Sequence, residues 1–332
     1  MGSIALSRLL PDRFTQALLI TVALASFFPA QGEAAQVTGW VSKVALMLLF
    51  FLHGARLPFE SMVAGLRRPG LHAMIVLSTF VLFPALGLGL HALVPDLLPE
   101  GMWLGVLFVC MLSSTVQSSI AFTSIAGGNV PAALCAATLS NIAGVFVTPM
   151  LVALLMHRSG STGGLGEIGR IATQLLLPFC LGSLARPLIG VWVARNKAIV
   201  GFVDRGSILI AVYAAFGASV TQGVWSLFSF RQLLLLLAVE CALLAGVMGL
   251  MVLGSRLAGL TREDEVAVLF CGSKKSLAAG VPMANVLFGA QAGMVVVPLM
   301  IFHQIQLMIC AVIARRYAEA AVSRRSMTPA NV

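Results

Sequence analysis

Long apolar runs separated by short polar segments dominate the chain from residue 14 to residue 314. Runs such as residues 45–52 and 233–239 are continuous, whereas a membrane β-barrel alternates apolar and polar residues at every second position. A helix needs about 20 apolar residues to cross a bilayer, and a short connection takes about 5 to 12 residues. The pattern therefore predicts an all-α polytopic membrane protein with ten transmembrane helices.

Glycine, proline and charged residues mark the predicted helix ends. The predicted spans are residues 14–30, 38–55, 71–94, 101–127, 130–156, 168–185, 201–221, 232–255, 265–287 and 292–314. Residues 1–13 are predicted as an interfacial N-terminal helix, with a signal peptide as the alternative. Residues 14–156 and 168–314 form two five-helix repeats, joined by a loop at 157–167 and followed by a cytoplasmic C-terminal tail at 315–332.

Composition agrees with a membrane protein and argues against other classes. Of the 332 residues, 59% are hydrophobic and 10% are charged, where a soluble domain has about 25% charged residues. The net charge of +9 does not indicate nucleic-acid binding, because the basic residues lie between apolar runs. The six cysteines stand singly, so no zinc site or disulfide framework is predicted. Because motifs for ATP hydrolysis and for hydrolases are missing, we expect neither an ATP-driven pump nor an enzyme.

The distribution of basic residues predicts the orientation. If the N-terminus is cytoplasmic, fifteen Lys and Arg residues fall on the cytoplasmic side and four fall on the other, namely Lys43, Arg158, Arg170 and Arg231. Positive residues are retained in cytoplasmic loops, so the bias predicts an inner-membrane protein with both termini in the cytoplasm.

The two predicted halves run through the membrane in opposite senses, because each contains an odd number of spans. Such an inverted repeat is typical of many secondary transporters. Short matches between the halves agree with it: residues 119–121 resemble 276–278, and residues 147–149 resemble 296–298.

Polar residues interrupt the fourth and ninth predicted spans at corresponding places, residues 113–119 and 272–276. Paired interruptions of this kind indicate broken helices around a site at the membrane midplane. Unwound backbone is tolerated at that depth only where it lines a cavity or is buried in protein. The alternative is that the serines bond to the preceding helical turn or to a neighbouring helix.

Lys274 and Lys275 lie within the second interruption. The nine residues from Glu265 to Lys274 correspond to about 13.5 Å of helix, close to half of an apolar core about 30 Å thick. Glu240 in the eighth span lies at a similar depth, so an ion pair with either lysine is geometrically allowed. One positive charge then remains, and we expect it to attract an anionic solute unless it is deprotonated or hydrated. The alternative is a structural ion pair beside a second lysine that has no role.

Several short motifs resemble the bile acid:sodium symporter family, which is solute carrier family 10. They are residues 83–85, 128–130, 147–149 and 303–304. Two further segments, residues 51–57 and 114–121, resemble a divergent branch that contains bacterial sodium–bile acid cotransporter homologues and solute carrier family 10 member seven.

The resemblance implies ten spans arranged as two bodies. The first, second, sixth and seventh spans would form a panel, and the other six would form a core in which the broken fourth and ninth helices cross. Substrate would bind between panel and core, and their relative motion would give alternating access. The candidate substrate-binding residues are Gln117, Ser118, Lys275, His303 and Gln304.

The chain departs from the family at the positions of its sodium ligands. A Glu and a Gln-Asn-Ser segment of the family's ninth helix are here Phe270 and residues 274–276, while Thr79 and Ile120 replace a Gln and an Asn. We therefore predict no sodium cofactor: a lysine ammonium would occupy the cation position, as a permanent or proton-titratable substitute, and a proton stays open as coupling ion. The candidate coupling residues are Lys274, Lys275, Glu240, Ser119, Thr138 and Ser276.

These observations predict a secondary active transporter of an organic, anionic and amphipathic solute that works by alternating access. Its expected partners are the lipid bilayer and a small organic solute, with no nucleic acid, and monomer and homodimer both stay open. The alternative function is a non-transporting membrane sensor or regulator of ion homeostasis that uses the same cavity.

Overall fold

The computed structural model describes residues 13–56, 68–156, 176–221, 223 and 229–327. These residues are helical apart from short connections, and they contain no strand. We number the α-helices α1 (Arg13–Phe27), α2 (Gly32–Ala55), α3 (Pro69–Leu77), α4 (Phe83–Leu93), α5 (Glu100–Met111), α6 (Gln117–Ile125), α7 (Val130–Leu155), α8 (Leu177–Arg195), α9 (Lys197–Thr221), α10 (Phe230–Leu257), α11 (Arg262–Gly272), α12 (Leu277–Phe288) and α13 (Ala292–Met327). A π-helical turn, Ser78–Leu82, joins α3 to α4.

Seven helical segments in the described part of the chain are long and apolar enough to cross a membrane. They are Gly32–Ala55, Pro69–Leu93, Val130–Leu155, Leu177–Arg195, Lys197–Ala218, Phe230–Leu257 and Ala292–Ala320. Large apolar side chains such as Leu184 and Leu188 point outward, as expected where a helix contacts lipid. The protein is therefore a multi-pass membrane protein, while its ten spans and inverted repeat stay predictions.

Three helices extend beyond the predicted span ends. Helix α2 begins at Gly32 rather than at residue 38. Helix α8 continues to Arg195 through Arg186 and Pro187, which suggested an end in the sequence; proline is tolerated in membrane helices where other groups satisfy the freed backbone. Helix α13 continues to Met327 through the predicted tail, because alanine and glutamate there favour helix even without apolar neighbours. Residues 1–12 and the predicted inter-repeat loop lie outside the described residues.

The chain divides into two compact units. The first unit contains the described residues of Met1–Leu57, Gly169–Phe228 and Val281–Met294, with α2 packed along both α8 and α9. The second unit contains the described residues of Pro58–Ile168, Ser229–Gly280 and Val295–Val332. In it, α11 packs against α6, α7 and α10.

A close helix crossing holds the first unit together. A Cβ atom on Gly54 of α2 would overlap the carbonyl oxygen of Phe179, and one on Gly182 of α8 would overlap that of Phe51. The Ser183 hydroxyl of α8 adds a hydrogen bond of 3.4 Å across the crossing to the Gly54 carbonyl. Small residues let helix backbones approach closely in membranes, where association depends on van der Waals packing.

We predict that Gly182→Ala lowers the thermal unfolding midpoint of the purified protein, because the added methyl must push two backbones apart. Overpacking of this kind costs about 1–3 kcal/mol. The matched control is Gly201→Ala in α9, where nothing lies within 4 Å of the added Cβ. An unchanged midpoint for Gly182→Ala, beside an unchanged or raised one for the control, would contradict the crossing.

Candidate functional site

Two helix breaks meet inside the second unit. Helix α5 ends at Met111 and α6 begins at Gln117, while α11 ends at Gly272 and α12 begins at Leu277. The backbone N–H of Ser276 in the second break donates to the carbonyl oxygen of Ser113 in the first, at 2.9 Å. Both interruptions are therefore present, although the first is shorter than predicted because residues 117–119 are helical.

Three serine hydroxyls satisfy the last carbonyl groups of α11. Ser119 donates to the Phe270 carbonyl at 3.0 Å, Ser114 to that of Cys271 at 2.6 Å, and Ser78 to that of Gly272 at 2.8 Å. A helix that ends leaves its last carbonyls without intrahelical partners. Hydroxyl groups from α6, the first break and the π-helical turn supply the missing donors.

The ammonium group of Lys275 lies among three backbone carbonyl oxygens. Its Nζ donates to Thr79 at 2.7 Å, to Cys110 at 2.8 Å and to Leu112 at 2.7 Å. It also lies 4.2 Å from the ring centre of Phe83, and the side chain is completely buried. An ammonium has three donors, and all three have an acceptor here. One side chain thus joins the π-helical turn, the end of α5 and both breaks.

Gln306 of α13 holds the backbone of Lys275. Its Oε1 accepts from the Lys275 N–H and its Nε2 donates to the Lys275 carbonyl, both at 2.9 Å. The same Nε2 lies 2.9 Å from Nδ1 of His303. Gln306 is completely buried, so its amide replaces the helical hydrogen bonds that the break removes.

Lys274 has different surroundings. Its Nζ lies 4.0 Å from the ring centre of Phe122 and 5.5 Å from that of Phe270. It is buried and makes no hydrogen bond to any residue that the structure describes. A cation over aromatic faces is attracted by the ring quadrupoles, and more strongly where water is excluded.

Glu240 does not pair with either lysine. The side chain is completely buried on α10, and neither carboxyl oxygen has a hydrogen-bond partner among the described residues. The ion pair that the sequence allowed is therefore wrong. Counting residues from the span ends gives a similar depth for these groups, but depth does not fix which face of the helix carries the side chain.

The remaining candidate residues differ in burial and in their hydrogen bonds. Ser118 is half-buried and shares a hydrogen bond of 2.6 Å with Thr115, while the Ser276 hydroxyl accepts from the backbone of α12. Gln117 is exposed, and Gln304 and Thr138 are half-buried.

The candidate site residues predicted from the sequence leave out four groups that contact the breaks, namely Ser78, Ser140, Asn141 and Gln306. The Asn141 Oδ1 accepts from the Ser113 hydroxyl at 3.2 Å. The Ser140 hydroxyl accepts from the Ser114 backbone at 3.1 Å. A signal was available for Gln306, because it stands one helical turn after His303 and so shares its face. Ser78 and Ser140 lie in unbroken spans, where nothing local distinguishes them from serines that face a neighbouring helix.

A polar cluster fixes the first turn of α11. Asp264 pairs with Arg68 and accepts from the Asn129 amide at 2.8 Å. Glu265 pairs with Arg256 at 3.1 Å and accepts from the Tyr317 hydroxyl at 2.7 Å. Asn129 also caps α7. The acidic first turn is therefore held from α7, α10 and α13, and negative charge is favourable at that helix end.

Comparison with known proteins gives a family match over almost the whole chain. The sequence profile of the SBF-like CPA transporter family matches residues 12–319.

Individual relatives also align with most of the chain. The chain is 53% identical to the uncharacterized protein PA2026 of Pseudomonas aeruginosa over 94% of each chain, and 49% identical to an Escherichia coli protein named "Putative symporter YfeH" over 92% of each. It is 28% identical to the mouse sodium/bile acid cotransporter 7, over 86% of this chain and 85% of that protein.

We predict that Gln306→Leu destabilises the protein, because it leaves a buried N–H and a buried carbonyl of Lys275 without partners. Each unsatisfied group costs about 1–3 kcal/mol. The thermal unfolding midpoint in detergent measures the effect, and Gln304→Leu on the same helix is the control, since Gln304 is only half-buried. Equal midpoints for the two variants would show that Gln306 does not support the break.

Proposed function

The chain belongs to the SBF-like CPA transporter family, and we propose that it is a secondary active transporter of a small, organic, anionic and amphipathic solute. It works by alternating access in the inner membrane, with both termini in the cytoplasm. Support for the transport activity comes from relatives named symporter and sodium/bile acid cotransporter. Support for the orientation comes from the positive-inside bias.

The observation that carries the mechanism is the Lys275 ammonium among three carbonyl oxygens. Backbone carbonyls at a helix break are the ligands with which transporters of this general architecture coordinate sodium. An ammonium brings the same unit charge and satisfies the same oxygens. We propose that it replaces a coupling sodium ion, so that solute uptake does not require sodium and a proton is the candidate coupling ion.

Alternating access requires two bodies that can move against each other. The two compact units support this in part: the described panel helices α1, α2, α8 and α9 all lie in the first unit, and the core helices lie in the second, except that residues 281–294 of the ninth and tenth spans fall in the first unit. The crossing at Gly54 and Gly182 holds helices of the first unit together, and the bond between the two breaks does so in the second.

The preference for an anion rests on Lys274. Its ammonium has aromatic rings but no carboxylate beside it among the described residues, so its charge is not neutralised locally. A charge at such depth costs about 2.5–3.5 kcal/mol on insertion scales. A negatively charged solute would recover part of that cost, and Gln117, Ser118, His303 and Gln304 would supply hydrogen bonds to it.

One observation favours the second candidate, a membrane sensor. The Lys275 ammonium has all three donors satisfied, so the breaks are locked by a cation that cannot dissociate. A protein held in this way could detect a ligand without moving it across the membrane.

Reconstituted vesicles distinguish the two candidates. We predict that an organic anion which raises the unfolding midpoint of the purified protein does so equally in sodium, potassium and choline, and that vesicles accumulate the same anion. Stabilisation without accumulation would favour the sensor. Accumulation that strictly requires sodium would exclude the substitution by Lys275.

A second prediction tests the cation position itself. Lys275→Ala removes the ammonium and leaves three carbonyl oxygens facing the vacated space, so sodium should now bind and raise the unfolding midpoint relative to choline. Sodium at ten times its dissociation constant would stabilise by about 1.4 kcal/mol. Lys274→Ala is the matched control, because that ammonium contacts rings instead of carbonyls. The same sodium response in both variants, or in neither, would contradict the proposal.

A further inference from the structure

A cavity lies in the second unit, away from the helix breaks, where α4 ends and α10 begins. It has a volume of about 620 Å³, within the usual range of small-molecule sites. Its polar lining residues include His91, Asp96, Glu100, Trp103, Arg231 and Gln232. Both Leu93 and Phe230 are end residues of candidate membrane spans. The cavity is therefore at the depth of the lipid headgroups.

The charges in this cavity are of both signs. Asp96, Glu100 and Arg231 are exposed side chains, and no ion pair joins them to one another. Two carboxylates and one guanidinium suit a ligand that carries an ammonium and a phosphate. A headgroup with negative charge alone would satisfy Arg231 but would face two like charges.

The wall behind these charges is fixed. The Trp103 side chain is buried, and its indole N–H donates to the Pro95 carbonyl at 2.8 Å. The His91 ring packs 5.1 Å from the Trp103 ring, measured between centres. The cavity is thus largely preformed, which reduces the entropy lost when a ligand binds.

Apolar side chains border the cavity. Leu93 and Val94, which directly precede the lining residue Pro95, are 81% and 37% exposed, and Leu93 ends a candidate membrane span. Leu235 of α10 lines the cavity itself. A ligand with its charged end in the cavity can therefore place an acyl chain against Leu93 and Leu235.

We propose that this cavity binds a membrane phospholipid whose headgroup carries a primary ammonium, as in phosphatidylethanolamine. Arg231 binds the phosphate, Asp96 and Glu100 bind the ammonium, and an acyl chain lies against Leu93 and Leu235. This site depends only on the membrane location of the protein and is independent of the proposed transport function.

The test uses the delipidated full-length protein in detergent and follows its unfolding midpoint during titration with dioctanoyl phosphatidylethanolamine, dioctanoyl phosphatidylglycerol and glycerophosphoethanolamine. We expect phosphatidylethanolamine to bind about tenfold more tightly than either of the others. Phosphatidylglycerol lacks the ammonium and its charge-assisted hydrogen bonds, and glycerophosphoethanolamine lacks the acyl chains. Asp96→Asn with Glu100→Gln should remove the preference over phosphatidylglycerol, and Arg231→Gln should weaken both lipids.

Glu33→Gln is the matched control, because Glu33 is an exposed acid in the first turn of a helix in the first unit, as Glu100 is in the second. This variant should bind all three ligands like the wild type. A preference for phosphatidylethanolamine that survives the double substitution would overturn the assignment of the carboxylates. Equally tight binding of glycerophosphoethanolamine would show a site for a soluble ligand and overturn the lipid, as would tighter binding of phosphatidylglycerol.

Discussion

Backbone that leaves the helical conformation inside a bilayer must find hydrogen-bond partners within the protein, and this constraint shapes the second unit. Two such segments lie against each other, so part of the requirement is met by the bond from Ser276 to Ser113. The remaining groups need side chains, and these come from unbroken neighbours as well as from the breaks. The Gln306 amide serves the backbone of Lys275, and the Ser78 hydroxyl serves the end of α11.

Lys275 meets an electrostatic requirement at the same time. The Cys110 and Leu112 carbonyls that bind its ammonium lie at the C-terminal end of α5, where the helix dipole is negative. A hydroxyl could satisfy one such oxygen but would leave the partial charge of the helix end unbalanced. A buried ammonium satisfies three oxygens and supplies positive charge, which explains how lysine can occupy a position where a charge is otherwise expensive.

Features that depend on local sequence could be predicted, and features that depend on which side a residue faces could not. Continuous apolar runs predicted membrane helices, and the polar interruptions predicted both breaks. The depth of Lys274, Lys275 and Glu240 followed from helix rise, but their partners did not, because one lysine binds carbonyls, the other contacts rings and the glutamate meets neither. Every residue has a backbone carbonyl group whatever its side chain, so the sequence could not show which carbonyls bind the Lys275 ammonium.

The adjacent lysines divide two tasks that a bound cation would combine. A cation held by carbonyls at crossed breaks stabilises the fold, and if it can leave, its gradient also drives transport. On the proposed substitution, Lys275 does the first but cannot leave as a sodium ion does, because its ammonium is covalently attached to the element it stabilises; it could take part in coupling only by losing a proton. The other candidates for coupling are Lys274 and Glu240, buried ionisable groups in the second unit that have no hydrogen-bond partner among the described residues. No such partner competes there with a solute or a proton, whereas the Lys275 ammonium already donates to three carbonyl oxygens.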